Sequence, residues 1–124
     1  GIRRAAKILD LELIPLKLSH NNFYHLDTCF CLLGPQSAMY YPGAFTPSAI
    51  KKLKKHMPEL IPLDVSDAAM FACNSVVYKN KILMPSGPQK IVKELNIRGY
   101  EITHINTSEF FKSGGSLQCM TLWI

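Results

Sequence analysis

Two short segments near opposite ends of this 124-residue sequence hold the side chains best suited to catalysis. His25-Leu26-Asp27-Thr28 offers an imidazole and a carboxylate, and Gly114-Gly115-Ser116-Leu117-Gln118-Cys119-Met120-Thr121 offers a thiol. A thiol that attacks and an imidazole that moves protons are the parts an enzyme with a cysteine nucleophile needs. Cys119, His25 and Asp27 are therefore the candidate site residues.

Both segments are predicted to be β-strands. Residues two apart in a strand face the same way, so a strand from His25 to Leu33 would point His25 and Asp27 together into one space. A terminal strand from Leu117 to Ile124 would place Cys119 on one face with Leu117, Thr121 and Trp123. Met120, Leu122 and Ile124 would form its apolar opposite face. Gly114 and Gly115 would let the backbone turn tightly or approach a ligand closely.

The remaining elements repeat along the chain. The pentapeptide Glu-Leu-Ile-Pro-Leu occurs at residues 12–16 and again at 59–63, and its surroundings repeat as well. The predicted unit is strand, strand, helix, strand. One copy has a helix capped by Thr46 that runs to Met57 and a strand around 60–63; the next has a strand at 81–85, a helix from Pro88 closed by Gly99, and a strand at 101–105. Partial units flank them, including an N-terminal helix and a strand around Leu13 to Leu18.

The His-Leu-Asp-Thr segment and the Gly-Gly-Ser-x-x-Cys-Met-Thr terminus together resemble the guanidino-group-modifying enzymes. This superfamily includes dimethylarginine dimethylaminohydrolases, arginine deiminases and amidinotransferases. The resemblance covers essentially all 124 residues and is to the family's C-terminal half. It implies an α/β fold of the pentein type, an α/β-propeller of strand-strand-helix-strand units, with about half of the ring present as one domain, 1–124.

The resemblance also implies roles for the three candidates. Cys119, favoured as thiolate beside a cationic substrate and an imidazolium, would attack the guanidinium carbon and form a covalent thiouronium adduct. His25 would protonate the departing amine and then deprotonate the water or amine that releases the adduct. Asp27 would accept hydrogen bonds from the guanidinium and hold it in register.

Each candidate also has a structural interpretation. An unpaired cysteine such as Cys119 is usually a buried core residue, His25 could be a hydrogen-bonded structural histidine, and Asp27 could bond its own backbone in a turn. Asn74 is expected to brace a buried loop. The other histidines, His20, His56 and His104, are expected to be structural or at the surface. No cofactor and no metal are expected, because the spacing of Cys29, Cys31, Cys73 and Cys119 matches no closed zinc pattern.

The composition limits which classes of protein this chain can belong to. With 48% hydrophobic and 19% charged residues, the chain is sized for one globular domain, and no apolar run is long enough to cross a membrane. No secretory signal is present at the N-terminus, so the expected location is cytoplasmic. The net charge of +5 admits a nucleic-acid partner. Nucleic-acid binding is the least favoured hypothesis. The densest lysine cluster, residues 51–55, lies on the outer face of an amphipathic helix, and no aromatic residues alternate with these lysines to stack on bases.

The function expected is that of a hydrolase or amidinotransferase acting on arginine or methylated arginine. The alternative is a noncatalytic ligand-binding or assembly fragment of the same fold. The expected partners are a small guanidino substrate and either an N-terminal half or a second copy, as in a homodimer, that completes the ring. Further guanidinium-binding carboxylates and a substrate-gripping arginine belong to the family's N-terminal half, so the isolated chain is expected to be inactive or nearly so.

Overall fold

The computed structural model describes residues 1–122, and its elements alternate between short strands and helices. In chain order they are α1 (Ile2–Ile8), β1 (Phe30–Leu32), β2 (Ser37–Tyr40), α2 (Pro47–His56), β3 (Glu59–Pro62), α3 (Val65–Ala69), β4 (Val76–Tyr78), β5 (Lys81–Pro85), α4 (Lys90–Ile97), β6 (Glu101–Ile105) and α5 (Ser108–Phe111). Three short 3-10 helices, Leu26–Thr28, Pro42–Ala44 and Gln118–Met120, complete the described part of the chain.

The strands form two three-stranded sheets of identical topology. In each sheet an antiparallel hairpin is followed by a helix and then by a strand that pairs in parallel with the hairpin's second strand. The orders are β1-β2-β3 and β4-β5-β6. This confirms the predicted α/β class and the predicted order of elements in both units. The two sheets are separate and not closed on each other, so the propeller arrangement stays a prediction.

Local sequence explains where the main helices begin and end. The Thr46 side chain accepts a hydrogen bond from Ala49 N at 3.4 Å, so Thr46 caps α2 as predicted, with Pro47 as its first residue. Gly99 follows α4 with a φ of +87°, the left-handed conformation that ends helices and favours glycine.

Helix α4 begins at Lys90, two residues later than the sequence predicts, and its cap comes from another unit. The buried carboxylate of Asp67 accepts hydrogen bonds from Gln89 N at 3.1 Å and from Ile91 N at 2.6 Å. These are backbone N–H groups that the first turn of a helix leaves without a partner. The first unit thus fixes the start of the second unit's helix.

One apolar core spans both sheets. It contains side chains from β1, β2, β3, β5 and α4, among them Cys31, Met39, Ile61, Ile82 and Leu95. A second cluster lies under α2, where Leu53 is buried and Lys51, Lys52, Lys54 and Lys55 are exposed, as the amphipathic pattern predicts. Helix α1, by contrast, buries none of its residues.

The predicted strand from Leu13 to Leu18 is wrong. This segment is irregular apart from an isolated bridge between Leu18 and Phe45. In the two observed sheets the corresponding strands, β3 and β6, pair with β2 and β5, whereas within residues 1–122 no strand precedes α1 to offer 13–18 such a ladder. No helix in the described residues has the length and apolar character to cross a membrane.

Candidate active site

Asp27 lies in a 3-10 helix rather than in the predicted strand. Hydrogen bonds from Thr28 N and Thr28 Oγ1 to His25 O, at 3.2 and 2.6 Å, and from Cys29 N to Leu26 O, at 3.1 Å, close the turn Leu26–Thr28. The strand therefore begins only at Phe30. The threonine hydroxyl offers the backbone a local partner that competes with a sheet ladder, which is why the period-two interpretation of His25 and Asp27 fails.

Cys119 likewise lies in a 3-10 helix, so the predicted terminal strand from Leu117 is wrong over its described part. Trp123 and Ile124 lie outside the described residues. The local backbone is bound by single contacts instead of by a strand ladder. Gln118 N donates to the backbone Asn74 O at 3.2 Å, Cys119 N donates to the side-chain Asn74 Oδ1 at 3.4 Å, and the Thr121 hydroxyl donates to Leu117 O at 2.8 Å.

The preceding segment is anchored through Ser116. Its side chain is fully buried and shares a 2.8 Å hydrogen bond with the hydroxyl of Thr107, also buried, at the start of α5. A pair of buried hydroxyls that satisfy each other is costly to separate, because each would lose its only partner away from water. This contact fixes the segment that leads to Cys119.

The fold brings Cys119 and Asp27 into direct contact. The Cys119 thiol donates to Asp27 Oδ2 at 3.2 Å, and Asn74 Nδ2 lies 3.2 Å from each of these two atoms. Asn74 Nδ2 also lies 3.3 Å from Asp27 O. Cys119 is exposed, Asp27 is half-buried and Asn74 is fully buried. The site is therefore a thiol and a carboxylate presented to solvent above a buried amide.

His25 is the residue immediately before the helix that carries Asp27. Its imidazole is exposed and packs edge-on against the Tyr24 ring, with the ring centroids 4.6 Å apart. Within residues 1–122 no hydrogen bond joins this imidazole to Cys119 or Asp27. The catalytic role of His25 stays a prediction.

The two glycines before Cys119 lie where side chains would collide. A Cβ on Gly115 would come 3.2 Å from Cys119 Sγ, and a Cβ on Gly114 would come 2.9 Å from the Tyr24 hydroxyl. Gly114 also has a φ of +76°. The Gly-Gly pair therefore lets the backbone pass close to Cys119 itself and to the tyrosine that packs on His25, and its close approach to a ligand stays a prediction.

The three remaining cysteines differ from Cys119 in burial. Burial raises the pKa of Cys29 to about 12, with a smaller contribution from the Asp27 carboxylate, and burial likewise raises the pKa of Cys31 to about 12. The pKa of Cys73 is also raised by burial. Because the thiolate is the reactive form, these three thiols are poor nucleophiles in the folded chain.

An open groove of about 510 Å³ runs beside the site between the edge strands β1 and β4. Asp27 and Gln118 line one end, and the remaining lining is largely apolar, including Phe30, Leu32 and Val77. Cys119 and His25 are not part of this lining. Among the described residues, no cluster of three or more His, Cys, Asp or Glu side chains is arranged to hold a metal ion.

Asn74 makes more contacts at the site than the sequence predicts. The sequence predicts that Asn74 braces a loop, and its side chain also contacts both Asp27 and Cys119. The available signal was an amide in the otherwise small and apolar stretch Ala72-Cys73-Asn74 before a strand. A buried amide needs partners for its two N–H groups and its oxygen, so its position within an apolar stretch predicts a specific polar contact.

Two curated enzymes align with most of the chain. It is 34% identical over 119 residues to the N(G),N(G)-dimethylarginine dimethylaminohydrolase of Mycobacterium tuberculosis, a match to 96% of this chain and 39% of that enzyme. It is 36% identical over 119 residues to the bifunctional arginine dihydrolase/ornithine cyclodeaminase ArgZ of Synechocystis, covering 94% of this chain and 17% of that protein. The chain thus spans less than two fifths of either relative. No family model matches it.

Solved structures show the same fold. The N-terminal domain of cyanobacterial ArgZ, bound to product, matches 97% of this chain and 45% of its own with a TM-score of 0.92 and 35% identity. A variant of that domain, covalently bonded to a reaction intermediate, matches equally well. SxtG, an amidinotransferase from Microseira wollei, matches 98% of this chain and 39% of its own with a TM-score of 0.83 at 15% identity, a likeness of fold alone.

Proposed function

Because this chain belongs to the guanidino-group-modifying (pentein) superfamily, we propose that it carries the nucleophile of an enzyme acting on arginine or methylated arginine. The enzyme hydrolyses or transfers the guanidino group through a covalent adduct on Cys119. The observation that carries this proposal is the contact of the exposed Cys119 thiol with the Asp27 carboxylate at 3.2 Å. The covalently bonded intermediate in the related ArgZ domain supports the adduct.

The first step is binding of the cation. In the free protein Asp27 Oδ2 accepts the Cys119 S–H. A guanidinium presents several planar N–H donors and a full positive charge, and charge-assisted bonds of this kind are stronger than a thiol–carboxylate bond. The substrate therefore displaces the thiol from Asp27 and leaves the guanidino carbon beside Cys119 Sγ.

The second step forms the adduct. The thiol proton passes to the neutral imidazole of His25, and the thiolate attacks the guanidino carbon to form a C–S bond. The His25 imidazolium then returns the proton to the departing nitrogen, which leaves as a neutral amine with the electron pair of the broken C–N bond. The thiouronium that remains on Cys119 still carries the positive charge that Asp27 stabilises.

The last step releases the product. His25 takes a proton from a water molecule, the resulting hydroxide attacks the thiouronium carbon, and the C–S bond breaks with its electron pair on Cys119 Sγ. The hydroxyl proton of the product passes to the sulfur and regenerates the thiol, and the His25 imidazolium releases its proton to solvent. Water gives a ureido product, whereas an acceptor amine in its place gives a new guanidine and hence amidino transfer. Segments that cover the groove beside Asp27 decide between these acceptors by admitting or excluding water.

We propose that the remaining contacts to substrate come from outside these 124 residues, from a further segment of the same protein or a second copy. The Cys119 side of the site is exposed, and the groove beside it is open and largely apolar. An uncovered site has water around its ion pairs, which weakens them. The chain by itself is accordingly proposed to be inactive or nearly so.

A matched pair of alkylators tests the nucleophile and its cation site. Chloroacetamidine carries the positive charge of the substrate, whereas chloroacetamide has the same shape and is neutral. When each alkylation rate is divided by the rate with free glutathione, Cys119 should react about tenfold faster with the cationic reagent. This factor corresponds to the free energy of one charge-assisted hydrogen bond. Asp27→Asn should abolish the preference, and Asp10→Asn, at an exposed position after α1, should leave it intact. Equal preference in the wild type and Asp27→Asn would contradict the proposal.

Product analysis tests the reaction itself. The protein at its native length is incubated with arginine and with dimethylarginine, and ureido products and amines are measured. We expect product with the wild type, with the Cys119 adduct visible by intact mass after a rapid acid quench. We expect neither product nor adduct with Cys119→Ser or with His25→Ala, because His25 moves the proton in the step that forms the adduct. Binding of these guanidines without any product would instead support the noncatalytic alternative.

A further inference from the structure

Asn74 is a fully buried side chain whose every polar group is used at the candidate site. Its Oδ1 accepts from Cys119 N at 3.4 Å and its backbone oxygen accepts from Gln118 N at 3.2 Å. Its Nδ2 faces Asp27 O, Asp27 Oδ2 and Cys119 Sγ at 3.2 to 3.3 Å. One side chain therefore holds together two segments that meet only in the folded chain.

The donor count on Asn74 is smaller than the acceptor count around it. An amide nitrogen carries two hydrogens, while three acceptors lie within hydrogen-bond distance. Asp27 Oδ2 is also the acceptor of the Cys119 S–H. While Cys119 is a thiol, its sulfur is a weak acceptor, and the two amide hydrogens are best used on Asp27. A thiolate in the same place is a strong acceptor and draws one of them.

We propose that Asn74 is a switching donor that ties ionisation of Cys119 to release of Asp27. When a cation or the loss of the thiol proton breaks the S–H to Oδ2 bond, one Asn74 N–H transfers from Asp27 to the Cys119 thiolate. No covalent bond changes in this exchange. The thiol proton goes to solvent in the free protein, and in the reaction proposed above, on which this role rests, it goes to His25.

The backbone around Asn74 keeps this donor rigid. Asn74 N donates to Phe71 O at 2.9 Å, and Ala72 N donates to Asp67 O at 3.2 Å. Phe71 adopts a φ of +58° and stacks on Phe111 with the ring centroids 4.8 Å apart. A left-handed phenylalanine persists only where its surroundings hold it, so the turn that aims Asn74 is firmly constrained.

The test measures Cys119 reactivity without any guanidino compound. The rate of alkylation by neutral chloroacetamide is recorded from pH 6 to 11 on the folded chain. For Asn74→Ala we expect a rate about tenfold lower at neutral pH and a half-maximal rate about one pH unit higher, because the thiolate loses its donor. Asn74→Asp, which puts a carboxylate oxygen where the N–H was, should raise the pH of half-maximal alkylation further. Asn80→Ala, which removes an exposed amide bonded to Glu101, should leave the profile unchanged.

A purely structural Asn74 would give a different result. Asn74→Ala would then lower the midpoint of thermal unfolding but keep the pH midpoint of alkylation of the folded fraction, and that outcome overturns the proposal. Since alkylation by a neutral reagent needs no substrate, the profile can shift even if the guanidino chemistry fails. Conversely, turnover with an unshifted profile would remove the switching role and leave the proposed function standing.

A second measurement covers the case in which Asn74 variants do not fold. The side-chain amide signals of Asn74 are followed by NMR in the wild type as pH is raised. We expect them to move with the same midpoint as Cys119 alkylation and to stay still in Cys119→Ala. Signals that do not respond to Cys119 ionisation would overturn the proposal.

Discussion

The thiol of Cys119 donates to Asp27 Oδ2 at 3.2 Å although 92 positions separate the two residues. Neither residue lies in a strand: each belongs to a short 3-10 helix, Gln118–Met120 and Leu26–Thr28. The contact depends on Asn74, which binds backbone or side-chain atoms of both segments. In the proposed function, a cation takes the place of the thiol on this carboxylate.

The four thiols should react very differently in the native chain. Cys119 is exposed, whereas Cys29, Cys31 and Cys73 are buried and have raised pKa values. At pH 8, iodoacetamide should label Cys119 at least about a hundredfold faster than the others, because Cys119 is exposed and the raised pKa values of the other three lower their thiolate fractions. Peptide mass spectrometry gives the site of labelling, and the same reaction in urea should label all four. Native labelling of Cys31 at the rate of Cys119 would contradict the described core.

Substitution of Gly115 should change the reactivity of Cys119, whereas substitution of Gly99 should change only the stability of the chain. Gly115→Ala puts a Cβ 3.2 Å from Cys119 Sγ, so the thiol must move, and we expect alkylation of Cys119 to slow by roughly tenfold with little loss of stability. Gly99→Ala meets no atom within 4 Å but must hold a φ of +87°. It should cost about 1 kcal/mol of unfolding free energy and leave Cys119 unaffected. Alkylation rates and urea melts of both variants check this. If both variants changed the alkylation rate and the unfolding free energy alike, the prediction would be wrong.

Stability should fall at alkaline pH. Folded Cys29 and Cys31 stay protonated up to about pH 12, whereas thiols in the unfolded chain ionise near 9.0. Between these values the unfolded chain releases protons that the folded chain keeps, so the stabilisation is complete below about pH 9 and is lost as pH rises toward 12. Urea melts from pH 7 to 11 measure this loss. The slope should be smaller in Cys31→Ala and unchanged in Cys119→Ala.

Asp67 should matter more for stability than any surface carboxylate. Both of its oxygens accept backbone N–H groups at the start of α4, and the side chain is buried. Asp67→Asn replaces one acceptor with a donor that faces an N–H, and we expect a loss of about 2 kcal/mol in unfolding free energy. The matched change Glu109→Gln, in an exposed pair with Lys112, should cost no more than about 0.5 kcal/mol. Equal losses would show that Asp67 does not cap α4.

The two repeated units could be predicted from sequence because their signals are local. Thr46 before Pro47, Gly99 after an amphipathic run, and apolar strands between turns each depend on neighbours within a few positions. The strand predicted at 13–18 failed because a strand also needs a partner ladder, which periodicity does not reveal. The start of α4 was misplaced because its cap, Asp67, comes from a residue outside the local window.

The residue types of the site follow from the two motifs alone, which supply a thiol, a carboxylate and an imidazole whatever the backbone does. The meeting of Asp27 and Cys119 from two 3-10 turns, with Asn74 between them, depends on the folded arrangement of the chain. These contacts are long-range, because the polar partners of the Asn74 amide and of Cys119 are the groups that packing brings near. Such partners here lie 45 to 92 positions away, beyond any local pattern.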